Sequence, residues 1–509
     1  MHTTNAPSVG PTESGGANEP KKLRRNLNVW EAIGVSIALM APAMAANINP
    51  QGGASVVGRA VPLSFVLATI SALLIAYSFS RLSQRFNHAG SVYGFVGATM
   101  GPRSGIFAGW LLAAAYALFG VYTALAAGRF VTDEIRALGI WKSAPDWFSF
   151  VFALVALGIV WFFATRSAQG GTRLMLVVEG VTVLLILIVT VVILSKLLSG
   201  SAPAGQTFDL SVFTIPGGSD VSNVFLGVVF GFLSFAGFEG AATLGEETKN
   251  PRRDVPRAIL GTVIFGGLFF IVVTAVEVMG FGTGTKGVAS FVASSSLMGD
   301  LGTAYVGAWI GNIITIGAAV SATSCALACT VGASRLVFAM SRDGAGPKQL
   351  SVVSQKHQVP VRAVGVLVLF VAVFFLIGGL VFRALPFDVA VVGGTAGTLI
   401  LLVAYFMANL GAIKLLFFSG QHTVSRWEIV IPILGLIVLG YTMFRNVYPF
   451  PVGAAWWGPG IFLGLAGLAL LWVLARPAAA RRAGVLLTND EGLAAADGSE
   501  HVAQKVGVI

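Results

Sequence analysis

Between Val221 and Leu260 an apolar run long enough to cross a bilayer carries Gly231, Gly237 and Gly240 and, at its middle, the acid Glu239. It leaves through a cluster of charges and prolines. An acid in lipid costs about 3 kcal/mol on insertion scales. Glycines there let a helix unwind, and hydrocarbon tolerates loose backbone only where it lines a protein or water-filled cavity. The rest of the chain must therefore supply that cavity.

It has the means to do so. Only 11% of the 509 residues are charged, against 56% hydrophobic; soluble domains carry about 25% charge. Crossing a bilayer takes about 20 apolar residues per helix. Twelve such runs are centred near Met40, Leu73, Ala115, Val155, Ile186, Gly231, Leu268, Ala319, Val371, Ile400, Ile433 and Gly464. They are continuous rather than alternating, which predicts helices and not a barrel. The formal charge of +10 has no basic domain to carry it, so it does not indicate nucleic acid. With the N-terminus inside, only Arg59, Arg129, Arg136, Lys142, Lys196, Lys286, Arg383 and Arg445 of the 32 Lys and Arg fall outside. That is the bias of the positive-inside rule, and an even number of spans leaves both termini cytoplasmic in a multi-pass cell-membrane protein.

Residues 1–25 and 476–509 lack periodic apolar spacing and are expected to be disordered cytoplasmic tails. Residues 26–475 form one membrane unit, whose longest outer loops, near 196–220 and 282–303, are expected to fold partly over the outer mouth. Lys21–Arg25 followed by an apolar stretch mimics a signal peptide, but Glu13 and Glu19 in an over-long leading region argue against cleavage. Cys325 and Cys329 share one helix face with no His or acid nearby to complete a metal site, so they read as packing residues.

The first span is interrupted as well, by Pro42 near its middle. Proline removes a backbone donor and clashes with the carbonyl four residues back, here Ala38. Ala41, Ala43, Ala45 and Ala46 leave room for a ligand against the main chain; a simple kink is the alternative. The two breaks open the first and second groups of five spans. Interrupted segments at corresponding positions of two halves point to a 5+5 inverted-repeat transporter with its site at the midplane. The eleventh and twelfth spans are then additions.

Three stretches carry a family resemblance. They are Phe235–Glu239 with Gly245–Pro251 and Val255–Ile259; Phe86–Tyr93 through Gly101-Pro102 to Gly109-Trp110; and Ser334-Arg335 with Met340–Gly344 and Pro347. The chain resembles the amino acid–polyamine–organocation superfamily of permeases over residues 25–475. The resemblance implies an all-α, LeuT-like fold of twelve transmembrane helices with discontinuous helices 1 and 6. It also implies secondary transport of amino acids or related amines. Where many members carry a Gly-Ser-Gly-like stretch at the first break, this chain reads Leu39-Met-Ala-Pro-Ala-Met-Ala45.

A zwitterion needs donors for its carboxylate and acceptors for its ammonium. Half-helix N-termini supply free N–H groups and half-helix C-termini free carbonyls. The carboxylate is expected at Ala41, Pro42, Ala43, Met44 and Ala45, and the ammonium at Phe235, Ala236 and Gly237. Phe235, with Phe232 and Phe238, is a candidate lid. Trp110, Tyr116 and Tyr122 of the third span compete for the opposite wall, where at most two of the three can face inward. Glu239 either titrates or tethers the break. Glu179 in the fifth span has three readings: a proton carrier, a cation ligand with Ser321, Thr323 or Ser324, or a structural hydrogen bond. Glu277 is expected to reach the interface. Glu246 and Glu247, beside Lys249, Arg252 and Arg253, form an interfacial charge cluster or an inner gate.

The leading reading is a permease for an amino acid or amine, working by alternating access and coupled to protons, with sodium as the other coupling ion. Exchange is the nearest variant. A membrane-embedded enzyme lacks any nucleotide loop, nucleophile motif, metal spacing or implied cofactor, and a channel lacks the continuous polar stripe it needs.

Overall fold

The computed structural model describes residues 28–86, 91–166, 169–217, 220–244, 248–342, 344–354, 359–419 and 424–490. Among them the chain is all helical, without strands. The helices are α1 (Val29–Met40), α2 (Pro42–Val57), α3 (Val61–Arg85), α4 (Ser91–Met100), α5 (Pro102–Ala137), α6 (Phe148–Ala164), α7 (Gln169–Ser199), α8 (Val221–Phe235) and α9 (Pro251–Phe281). They continue with α10 (Thr285–Ala293), α11 (Leu297–Tyr305), α12 (Ala308–Arg342), α13 (Val361–Leu380), α14 (Pro386–Phe417), α15 (Val430–Val447), α16 (Trp457–Ala475) and α17 (Pro477–Asp490). Each of the expected span centres lies in one of these helices. Among the described residues, 10 helical stretches are long and apolar enough to cross a membrane; α6, with 17 residues, is shorter.

The inner helices are long and packed along their length: α5 against α12 and α14, α9 against α3, and α2 against α8. By contrast α13, α15 and α16 turn most of their apolar surface outward. In water that surface would be a liability; against acyl chains it is what a span requires.

Pro42 does not kink one continuous helix. α1 stops at Met40, Ala41 adopts a left-handed conformation (φ 46°), and Pro42 opens α2 at its first turn. Proline suits that position because its missing N–H would have no helical partner there. The expected clash with Ala38 is avoided by restarting the helix. The second break falls where the glycines predict it. α8 ends at Phe235, Gly237 takes φ 106°, and a 3-10 turn follows over Phe238–Leu244.

Two expectations about the periphery change. The tail from 476 begins as a helix, α17, in which Ala480 is fully buried. It packs on α5 and α4, which lets part of its apolar surface offset the ordering that composition alone argued against. The segment 282–303, read from its Gly and Ser as a loop, holds α10 and most of α11. Residues 1–25, the pair Glu246 and Glu247, and Asp343 lie outside the described residues.

Candidate functional site at the paired helix breaks

The two breaks touch. A Cβ built on Gly237 would lie 2.8 Å from Leu39 Cβ and 3.0 Å from the Leu39 carbonyl carbon, so only glycine lets α1 come this close. The Ser36 hydroxyl of α1 accepts the Ala241 N–H at 2.7 Å, and Cys325 Sγ of α12 donates to the Leu39 carbonyl at 3.4 Å. Backbone groups freed by unwinding are thus partly taken up by neighbouring helices, as a dry interior demands.

The start of α2 has no side-chain cap of its own. Its donors are met from a distance. Ala43 N–H donates to Glu179 Oε1 at 3.0 Å, and Met44 N–H donates to Ser321 Oγ at 3.2 Å. A carboxylate at a helix N-terminus is stabilised by both the orphan N–H groups and the helix dipole, worth up to about 2 kcal/mol when partly buried. Ala41–Ala45, Glu179 and Ser321 therefore form one buried cluster. Ser324 takes no part in these bonds, and Thr323 Oγ1 turns back on its own helix to Ala319 O at 2.9 Å.

The second break carries its own acid. Glu239 is buried and accepts from Tyr405 OH at 2.7 Å, Gly237 N–H at 3.1 Å and Tyr116 OH at 3.4 Å. These bonds join the carboxylate to the backbone of the break and to hydroxyls of α5 and α14. Phe235 packs edge-on against Phe270 of α9 at 5.7 Å, and Phe238 stacks on Phe79 at 5.8 Å.

Of the three aromatic candidates on α5, Tyr116 and Tyr122 reach the breaks and Trp110 does not. The Trp110 ring lies 6.4 Å from Trp472 of α16, so it faces the periphery; six residues of helix separate it from Tyr116 by a wide angle. Trp110 is therefore removed from the candidate site. Tyr122 OH donates to Asn49 Oδ1 at 2.5 Å, while Asn49 Nδ2 donates to Ser234 Oγ at 2.7 Å.

Those amides were missed in the sequence. Asn47, Asn49 and Gln51 are all fully buried in α2. Asn47 Oδ1 accepts from Ser296 OH at 2.8 Å and Met298 N–H at 3.0 Å, and Gln51 Nε2 donates to Ser294 O at 2.6 Å. They tie the second half of the broken span to α5, α8 and α11. The available signal was three amides within five residues of an otherwise apolar span. Tyr405 was missed too, and nothing local in its sequence distinguishes it from packing.

The profile of the amino acid permease family matches residues 30–477. The branched-chain amino acid permease BcaP of Bacillus subtilis is 27% identical over 322 residues, which cover 60% of this chain and 65% of that one. The low-affinity putrescine importer PlaP of Escherichia coli is 27% identical over 372 residues, 72% of this chain and 74% of its own. Cationic amino acid transporter 3 of Arabidopsis thaliana is 27% identical over 319 residues, 60% and 50% of the two chains. The chain belongs to the amino acid permease family, and it is a multi-pass membrane transporter rather than an enzyme.

Proposed function

We propose that this permease moves an amino acid or related amine across the cell membrane by alternating access. It would do so through twelve spans arranged as two inverted five-span repeats, with both termini cytoplasmic. The first repeat runs from the α1–α2 pair to α7, the second from α8 to α14, and α15 and α16 are additions. The observation that carries the reading is the contact between the breaks, Leu39 against Gly237, which sets one half-helix N-terminus beside one half-helix C-terminus. A zwitterion fits such a pair with its carboxylate on Ala43 and Met44 N–H and its ammonium on the last carbonyls of α8. The substrates for which two of the relatives are named, branched-chain amino acids and putrescine, both carry the ammonium this half-site would take.

Glu179 gives the site a route to proton coupling. It already holds the Ala43 N–H that a substrate carboxylate would need. An incoming carboxylate displaces it, and the displaced Glu179, left without that donor, takes a proton. One negative charge stays at the α2 N-terminus throughout, so carboxylate and proton enter together. Sodium coupling would instead require Ser324 to turn toward Glu179 and Ser321. Exchange needs only the substrate step.

Flux of labelled amino acids and amines into proteoliposomes, with and without a pH gradient, tests the whole reading. Saturable uptake that accumulates against its gradient when the outside is acidic is expected. Chemical conversion of the solute, an unsaturable conductance, or no flux of any amino acid or amine would overturn it.

A further inference from the structure

Glu277 was expected at the membrane surface, but it is completely buried, about a turn before the end of α9. Neither of its carboxyl oxygens has a hydrogen-bond partner among the described residues. The Thr274 hydroxyl, one turn earlier on the same helix, is also buried without one. Of the acids at the breaks, Glu179 accepts a backbone N–H, and Glu239 accepts a backbone N–H and two hydroxyls. Glu277 collects none.

Its place along α9 is informative. Phe270 meets Phe235 at the second break. Glu277 lies two turns further on, about 10 Å by helix rise. One turn beyond it, a Cβ on Gly280 would meet Leu301 of α11 and Ile193 of α7. The carboxyl thus sits in the half of the protein that α10 and α11 cover.

The titratable groups on the elements packed against this half of α9 are engaged elsewhere or exposed. Lys196 of α7 donates to Tyr305 O at 2.6 Å, and Tyr305 OH of α11 donates to Gly280 O at 3.1 Å. Asp300 of α11 accepts from Ser294 OH at 2.6 Å. Asp209, before the 3-10 turn Leu210–Phe213, accepts from Thr283 OH at 2.8 Å, and Lys286 of α10 is exposed. α2 contributes no titratable side chain. Toward the breaks stand Glu179 and Glu239 with the partners already given. The remaining charged residues of α1, α3 and α7 lie at the opposite end of the bundle.

An ionised carboxylate with neither donor nor cation in a low-dielectric interior is too costly to keep, and the group takes a proton instead. We propose that Glu277 is a proton-carrying gate residue, protonated while α10 and α11 pack over it and ionised when that side opens to water. The step is a simple exchange: opening releases one proton from the carboxyl to solvent, and closing takes one back. Acid on that side therefore favours the shut form, by linkage. The inference rests on the alternating-access reading, but not on the role given to Glu179.

Two measurements on the full chain in lipid test it. In infrared spectra the native protein should show the stretch of a protonated, unbonded carboxyl that persists at neutral pH and is missing from Glu277→Gln. Hydrogen exchange of residues 297–305, corrected for intrinsic chemistry, should slow by up to about tenfold per pH unit of acidification in the native protein. It should be independent of pH in Glu277→Gln. Glu277→Asp keeps the acid and should shift the infrared band while retaining the slope. Absence of the band, an unmoved band in Glu277→Asp, or an unchanged slope in Glu277→Gln would overturn the proposal, and the Asp variant decides even should the Gln variant not fold. Native protein that exchanges no amino acid or amine at any pH would instead sink the permease reading.

Discussion

Both interrupted spans are held by a glutamate, but the two glutamates reach their breaks by different routes. At the α8 break the acid is local: Glu239 accepts the N–H of Gly237, two residues before it. At the α1–α2 break it is imported: Glu179 reaches Ala43 from α7, 136 residues away. The backbones differ in the same sense. The α8 break turns through a glycine at φ 106°, whereas the first turns through an alanine at φ 46° followed by proline. The α8 break is built into its own sequence. The first is completed by the rest of the bundle, so it is the one whose closure a moving helix can alter.

The largest expected effect tests the built-in break. Gly237→Ala places a side chain in a backbone region costing about 1–3 kcal/mol. It also drives that Cβ to 2.8 Å from Leu39, and overpacking adds about 1–3 kcal/mol. Thermal unfolding in detergent should fall sharply and uptake should vanish. The mirror experiment, Ala41→Gly, removes left-handed strain of about 1–2 kcal/mol while adding chain entropy of about 0.5–1 kcal/mol. It should leave stability within about 1 kcal/mol of native. If both variants were equally damaging, the contrast between the breaks would fail.

Next come the acids. Glu239→Gln must leave at least one of its buried donors, Tyr405 OH, Gly237 N–H or Tyr116 OH, facing an amide NH2. An unpaired buried donor costs about 1–3 kcal/mol. In Glu179→Gln the amide oxygen can still accept Ala43 N–H, so the loss is mainly charge against the helix dipole, about 0.3–2 kcal/mol. Stability should therefore fall further in Glu239→Gln. Transport should rank them the other way for coupling: Glu179→Gln abolishes accumulation driven by a pH gradient and keeps substrate exchange. A Glu179→Gln protein that still accumulates substrate in response to the gradient would leave Glu179 as a tether only.

The α8 break was legible because its chemistry is local. Gly237 and Glu239 stand together in an apolar run, and a carboxylate bonding backbone two residues away needs no distant partner to be anticipated. Pro42 announced an interruption but not its kind, because proline serves equally at a kink or at the first turn of a new helix. What decides there is the pair of acceptors from α7 and α12, Glu179 and Ser321, which the folded chain brings to the free N–H groups of α2. The same limit explains the errors. Trp110 and Tyr116 are both aromatic residues of α5, and only their partners in the fold, Trp472 for one and Glu239 for the other, separate periphery from site. Glu277 near a helix end reads as interfacial because the sequence does not reveal that the folded bundle buries it completely. Asn47, Asn49 and Gln51 carried a readable signal, since amides in a dry span require partners.

The smallest effect compares a carboxylate bond in the membrane with one outside it. Asp209 accepts from Ser211 N–H at 2.9 Å, Ser211 OH at 2.8 Å and Thr283 OH at 2.8 Å, a donor set much like that of Glu239. The Ser211 N–H, then the two hydroxyls, hold its carboxyl below the ordinary carboxylate value. A depressed folded value means that the ionised form stabilises the fold. The contribution is full above the unfolded carboxylate range and is lost as pH falls through the folded value. Water competes for every one of these bonds, so Asp209→Ala should cost no more than about 1 kcal/mol, as for an ordinary cap. The difference in unfolding temperature between native and Asp209→Ala should shrink to nothing in acid. If Asp209→Ala cost as much as Glu239→Gln at neutral pH, burial would not be what gives the acid at the α8 break its weight.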